Sequence, residues 1–177
     1  HQLPAGIASY SIGENGYQRV LVGDSFAVGG GVLTVGGEYS HEDGPWLVEN
    51  DYNRYNFFAK YHQGDQFNFF DLTLLIHEGD WLSSDQIPSR GVESGLVDKF
   101  GTIDETTGGE TTRQSIQLNW RQEDGGSVNK LDAWFGFYDL ELYSNFTYFL
   151  NDPVNGDQFE QNDGRFFGGF NYARRTE

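Results

Sequence analysis

The residues from Ser127 to Tyr143 constrain the fold more than any others, because they alternate in character along their whole length. Leu131, Ala133, Phe135 and Phe137 fall on one face. Lys130, Asp132, Gly136 and Tyr138 fall on the other, together with Trp134. A period of two belongs to a strand with one apolar and one polar face. Run without interruption, such a strand reaches roughly 55 Å at ~3.3 Å per residue, whereas an ordinary strand needs only about 5–6 residues. That length suits a tall wall rather than a compact sandwich.

Other segments repeat the pattern. Over 54–62, Tyr55, Phe57, Ala59 and Tyr61 share a face opposite Asn56, Lys60 and His62, with Phe58. Gln63 to Gln66 turns the chain, and 67–77 returns it with Phe70, Leu72, Leu74 and Ile76 against Phe69, Asp71 and Thr73; Leu75 breaks the alternation. In 112–121, Gln114, Ile116, Leu118 and Trp120 oppose Ser115, Gln117, Asn119 and Arg121. Weaker strands are predicted over 5–12, 17–27 and 32–40, and an eighth over 164–175. Asn15-Gly16 and the Gly29–Gly31 run supply the positive-φ residues of tight hairpins. The fold class expected is therefore all-β, an antiparallel up-and-down meander of about eight strands.

The connections alternate in length. Long ones are expected at 41–53, 78–111 and 144–163, with possible helical turns over 88–100, and short ones near 64 and 124. A structureless loop as long as 78–111 is suspect inside a compact domain, but ordinary on the outer side of a membrane barrel, whose other side carries short turns. Charge follows the same division. The long loops hold four, eight and four acidic residues, 16 of the 27 in the chain, against only Arg90 and Lys99 of its 11 cations, so their net of 2 − 16 = −14 is nearly the whole excess of −16. On a barrel, the charged strand residues Lys60, Asp71, Arg121, Lys130 and Asp132 belong on the lumen side, because Lys or Arg facing lipid costs about 2–4 kcal/mol near the midplane.

Composition excludes several functions. The acidic balance argues against nucleic-acid binding, which rests on cations against phosphate. The 15 Phe, 10 Tyr and 4 Trp argue against disorder. With no cysteine, there is no disulfide framework or thiol nucleophile. No apolar run approaches the ~20 residues of a spanning helix, which leaves spanning by strands open.

No catalytic constellation emerges, and no enzyme activity or cofactor is expected. His41, His62 and His77 are not spaced as metal ligands and read as solvated or lumen-facing imidazoles, so no metal site is expected. Asn151-Asp152 and Asn155-Gly156-Asp157 lack the spacing of an EF-hand. Gly29–Gly31 has no following helix to make a phosphate loop, and Ser83-Ser84 has no nucleophile-elbow context. The aromatics Trp46, Trp81, Phe146, Tyr148 and Phe149 fall on predicted outer loops, where they pack loop on loop, sit in an interfacial aromatic girdle or meet a ligand.

Three stretches carry a resemblance. The run Tyr138-Asp139-Leu140 into Ser144–Leu150, continuing through Asp152–Gln161, is similar to the barrel part of TonB-dependent outer-membrane receptors, as are Asp43–Trp46 and Trp81–Arg90. The similarity extends roughly over 5–165. It implies a transmembrane β-barrel in the cell outer membrane of a Gram-negative bacterium, surrounded by outer-membrane lipid and lipopolysaccharide. Such a receptor binds a scarce extracellular solute (a metal chelate such as a siderophore, cobalamin or a saccharide) and imports it to the periplasm through TonB. The ligand-contact candidates it implies are Trp46, Trp81, Phe146, Tyr148, Phe149 and Asp152. The chain is expected to be a partial barrel, with the plug domain, through which TonB acts, and the C-terminal barrel strands lying outside 1–177. The alternative is a complete eight-stranded outer-membrane barrel with a structural or adhesive role. A soluble β-sandwich would instead need the aromatic faces buried against each other.

Overall fold

A computed structural model describes residues 3, 5–83 and 86–176. Eight strands follow in chain order: β1 (Ile7–Ile12), β2 (Gln18–Val28), β3 (Gly31–Glu42), β4 (Tyr52–Gly64), β5 (Phe69–Leu82), β6 (Gly108–Asp124), β7 (Ser127–Ser144) and β8 (Phe159–Thr176). They form one antiparallel sheet in the order β1 to β8, each strand paired with its neighbours in sequence. A short helix, α1 (Ser89–Glu93), interrupts the β5–β6 connection. No described helix is long and apolar enough to cross a membrane, which says nothing of crossing by strands.

The eight-strand meander is as the alternation predicts, and β7 begins and ends within one residue of its expected limits. Several other limits move outward, while β1 and β5 start two residues later than expected, at Ile7 and Phe69. β5 runs to Leu82 and β6 starts at Gly108, so the expected loop over 78–111 contracts at both ends. β3 reaches Glu42, β4 starts at Tyr52, and β8 begins at Phe159 rather than Gly164. The ladder continues past the last apolar residue because backbone pairing needs no apolar side chain, so Gln, Glu and Asp occupy the strand ends. Trp81 accordingly lies on β5 and not on a loop.

Connections alternate in length from one end of the sheet to the other. At one end the turns are Gly29-Gly30, residues 65–68 and Gly125-Gly126. Both glycine pairs have φ > 0 at both positions (55° and 82°, 47° and 106°), the two-residue geometry that matches strand twist and excludes most side chains. In the 65–68 turn, the Asp65 carboxylate accepts from the Phe67 and Asn68 N–H groups at 2.7 and 2.8 Å. The other end carries the loops 43–51, 83–107 and 145–158, beside the 13–17 turn.

Register divides the side chains into two faces. One carries Val20, Val22, Leu33, Val35, Phe57, Ala59, Leu72, Leu74, Ile116, Leu118, Ala133, Phe135, Phe137, Phe166 and Phe170. Tyr10, Tyr39 and Tyr55 border this apolar band toward the loops; Tyr61, Phe70, Trp120 and Tyr172 border it toward the turns. The opposite face carries Arg19, Glu38, Arg54, Asn56, Lys60, His62, Asp71, His77, Arg113, Gln117, Arg121, Lys130, Asp132 and Arg165. Of the 11 Lys and Arg, Arg90 and Lys99 lie off the strands, and of the remaining nine only Arg174 shares the apolar face.

The sheet is one layer, with no hydrophobic core among the described residues. Phe135, Phe166 and Phe170 are 54, 71 and 77% exposed. The accessible area is 11635 Å², a third above the roughly 8,700 Å² of a compact protein of this mass. Among the described residues no second sheet covers the apolar face, so the sandwich arrangement is not the one adopted. β1 and β8 do not pair, so the sheet is open.

β7 and β8 are fitted to each other by glycine opposite aromatic. Phe167 lies across Gly136, Trp134 across Gly169, and Phe135 opposite Gly168. A Cβ on Gly136 would meet the Phe167 ring at 2.3 Å, and one on Gly169 would meet the Trp134 indole at 2.6 Å. Each aromatic covers the backbone that its partner leaves bare, which is how sheets protect strand glycines.

Candidate functional site

The loop end of the sheet holds the candidate ligand contacts. Loop 43–51 folds over loop 83–107: the Leu47 N–H donates to the Phe100 carbonyl at 3.0 Å, and the Trp46 and Phe100 rings lie 6.4 Å apart. Lys99 Nζ sits 5.5 Å over the same Phe100 ring. Loop 145–158 meets the other flank of 83–107, where the Tyr148 hydroxyl donates to the Gln86 carbonyl. Phe146 packs on Phe159 at 5.5 Å yet stays 62% exposed, and Phe149 is 53% exposed. Trp81 stands edge-on to Tyr52 at 6.4 Å, at the loop end of the polar face. Among the described residues, Trp46, Trp81, Phe146 and Phe149 make no ring contact with one another. Ser84 and Asp85, within the stretch that carries part of the resemblance, lie outside the described residues.

Asp152 has an organising position. Its carboxylate accepts from the Val154 and Asn155 N–H groups at 2.9 and 3.0 Å and from Asn155 Nδ2 at 2.9 Å. Hydrogen bonds from the Asn155 backbone and side chain and from the Val154 backbone hold its pKa below the ordinary carboxylate value. Asp157 likewise accepts from the Asn151 and Asp152 N–H groups, at 2.9 and 2.8 Å. The two carboxylates fold this loop on itself, with Phe146 and Phe149 exposed and Tyr148 turned to Gln86.

Asp104 links the loops. It accepts from Asn145 Nδ2 at 2.7 Å, from Gln158 Nε2 at 3.3 Å, and from the Thr106 hydroxyl and N–H at 2.6 and 3.0 Å. Asn145 is 2% exposed, and its Oδ1 accepts from the Tyr148 N–H at 2.7 Å. Burial pushes the Asp104 pKa up, but the hydrogen bonds from Asn145, Thr106 and Gln158 outweigh it and hold the group below its ordinary value. Only the Asx-type spacing of Asp104 to Thr106 hinted at this role locally; the bonds to Asn145 and Gln158 span 41 and 54 residues.

The polar face continues from these loops as a hydrogen-bonding lane. Glu38 accepts from Arg19 Nε at 2.8 Å, and from Arg54 and Asn56 at 3.0 Å each; the Asn56 amide oxygen in turn meets His77 Nδ1 at 2.7 Å. Nearer the turns, Asp71 is paired with Lys60 at 3.1 Å and His62 at 2.5 Å. The expected lumen set of Lys60, Asp71, Arg121, Lys130 and Asp132 thus shares one face. Between these groups a trough of about 640 Å³ is lined by Glu38, Asn56, His77, Arg113, Ser115 and Gln117 among others. It sets the donors and acceptors of these groups beside apolar Leu21, Phe58 and Leu75.

Residue His41 has a third kind of neighbourhood. Its Nε2 lies 3.1 Å from Asp43 and its Nδ1 3.7 Å from Asp51, at the two ends of loop 43–51. The sequence hid this grouping because the loop brings residues eight positions apart to one imidazole.

Compared with known proteins, the chain matches no family model, no curated protein and no solved structure.

Proposed function

We propose that this chain is part of the barrel of a TonB-dependent outer-membrane receptor. The receptor binds a scarce extracellular solute at its loops and passes it to the periplasm. One observation carries the membrane half of the reading: a single sheet exposes an apolar, aromatic-bordered face, broken by Asp24 on β2, and keeps eight of its nine strand cations on the other. In water that apolar face has no partner; in a bilayer it has one. On β7, ten residue steps separate Asn129 from Asp139 across the band, about 34 Å of strand. At a strand tilt near 40° this covers roughly 26 Å of height, close to the apolar belt of outer-membrane barrels. The receptor half rests on the resemblance of the loop sequences, supported by three long loops at one end and exposed Phe146 and Phe149. The open β1 and β8 edges favour a segment of a larger barrel over a closed eight-stranded one.

The absence of cysteine permits a direct test. In cells carrying the protein, Ile116→Cys is expected to resist a membrane-impermeant maleimide that labels neighbouring Ser115→Cys. Equal labelling of the two positions sinks the membrane reading. Uptake of ferric siderophores, cobalamin and oligosaccharides is then measured with and without alanine at Trp46, Phe146 and Phe149. Uptake of none of them, or uptake indifferent to the loop changes and to dissipation of the proton gradient, removes the receptor reading while leaving the barrel standing.

A further inference from the structure

The neck of loop 43–51 gathers one imidazole and two carboxylates. The loop is closed there independently of any ligand: the Asn50 N–H donates to the Asp43 carbonyl at 2.8 Å, and the Asp43 N–H donates to the Asn15 carbonyl at 2.9 Å. Asp51 is held in the left-handed region with φ 43°, an unusual place for a residue with a Cβ. Asn53 fixes it there, donating from Nδ2 to the Asp51 carbonyl at 2.9 Å and to its carboxylate at 3.2 Å. The ligand atoms of His41, Asp43 and Asp51 all lie within 4.8 Å of one another.

We infer that His41, Asp43 and Asp51 form a site for a divalent transition-metal ion, of which Zn2+ is the representative. The charge balance supports this. Among the described residues neither carboxylate is paired with Lys or Arg, so two negative groups share one imidazole that carries at most one positive charge. A third carboxylate, Asp80, adds to the field and accepts from Asn53 Nδ2 at 3.2 Å. One nitrogen and two oxygens suit a borderline cation better than Ca2+ or Mg2+, which prefer oxygen throughout. Bonds of ~2.1 Å in tetrahedral geometry place ligand atoms about 3.4 Å apart. The ion takes one ring nitrogen: His41 Nδ1 also meets Asn53 Oδ1 at 3.1 Å, so Nε2, beside Asp43, is the ligand, and the Asp51 carboxylate swings toward it from its place near Nδ1, leaving a fourth position open. Bound there, the ion pins both ends of the loop that carries Trp46. The site does not depend on the receptor reading.

The test titrates Zn2+ into the full chain in detergent micelles, followed by calorimetry and by Trp fluorescence. One ion per chain is expected. His41→Gln, Asp43→Asn and Asp51→Asn each weaken binding about tenfold or more, at least as far as loss of an outer-shell partner does. Glu105→Gln, on a separate loop, leaves it unchanged. Circular dichroism checks that each variant keeps its strands. Absence of saturable binding to the unaltered chain at Zn2+ up to about 1 mM overturns the site. So does binding that His41→Gln and Asp51→Asn leave intact, or binding that Glu105→Gln weakens as much as they do.

Discussion

At the scale of residues, Asp104 decides how two of the long loops stand. Its carboxylate holds Asn145, Thr106 and Gln158, and so ties 83–107 to 145–158. Asp104→Ala strands the nearly inaccessible Asn145 amide, and a lost hydrogen bond to a charged group is worth about 1.5–3 kcal/mol. Proteolysis within these two loops is expected to speed up about tenfold, the equivalent of 1.4 kcal/mol in local opening, while the strands stay protected. The pH dependence has a fixed sign. The folded pKa lies below the unfolded one, so the contribution is whole above the unfolded value of about 3.9 and lost as pH falls through the folded pKa. Loop proteolysis that fails to rise in the variant, or that rises in the parent chain between neutral pH and 5, contradicts this account.

At the scale of elements, period-two alternation made the strands legible and left their ends obscure. β7 was readable from Leu131 to Phe137 because both faces contrast there. The ends of β5 and β6 were not, since Glu78, Asp80 and Glu110 look like loop residues until the register places Asp80 opposite Glu110. The candidate site divided similarly. Trp46 and Phe146 were recognisable as loop aromatics from composition alone. The bonds from Asn145 and Gln158 to Asp104, and the approach of Asp51 to His41, join residues that no local pattern links. Faces can be tested strand by strand. In bilayers, Ile116→Lys is expected to cost about 2–4 kcal/mol of folding free energy and Ser115→Lys close to nothing. Urea titrations of the two variants measure the difference, and equal losses would show that the faces are misassigned.

At the scale of the whole molecule, the sheet is bounded by unequal edges. β1 offers six residues and β8 eighteen, with one backbone side unpaired along each. Unpaired edges of this length recruit other strands. Sedimentation of the isolated chain in detergent is therefore expected to show association that grows with concentration, and a monomer at every concentration would argue that the edges are shielded. The inequality of the two ends has a different consequence. One end is finished by turns as tight as two residues, the other by loops rich in carboxylates. In a bilayer, turning the sheet over would drag those carboxylates through hydrocarbon at roughly 2.5–3.5 kcal/mol each. On the proposed membrane reading, sidedness is thus a kinetic inheritance: whichever end crosses during insertion stays across for the lifetime of the protein.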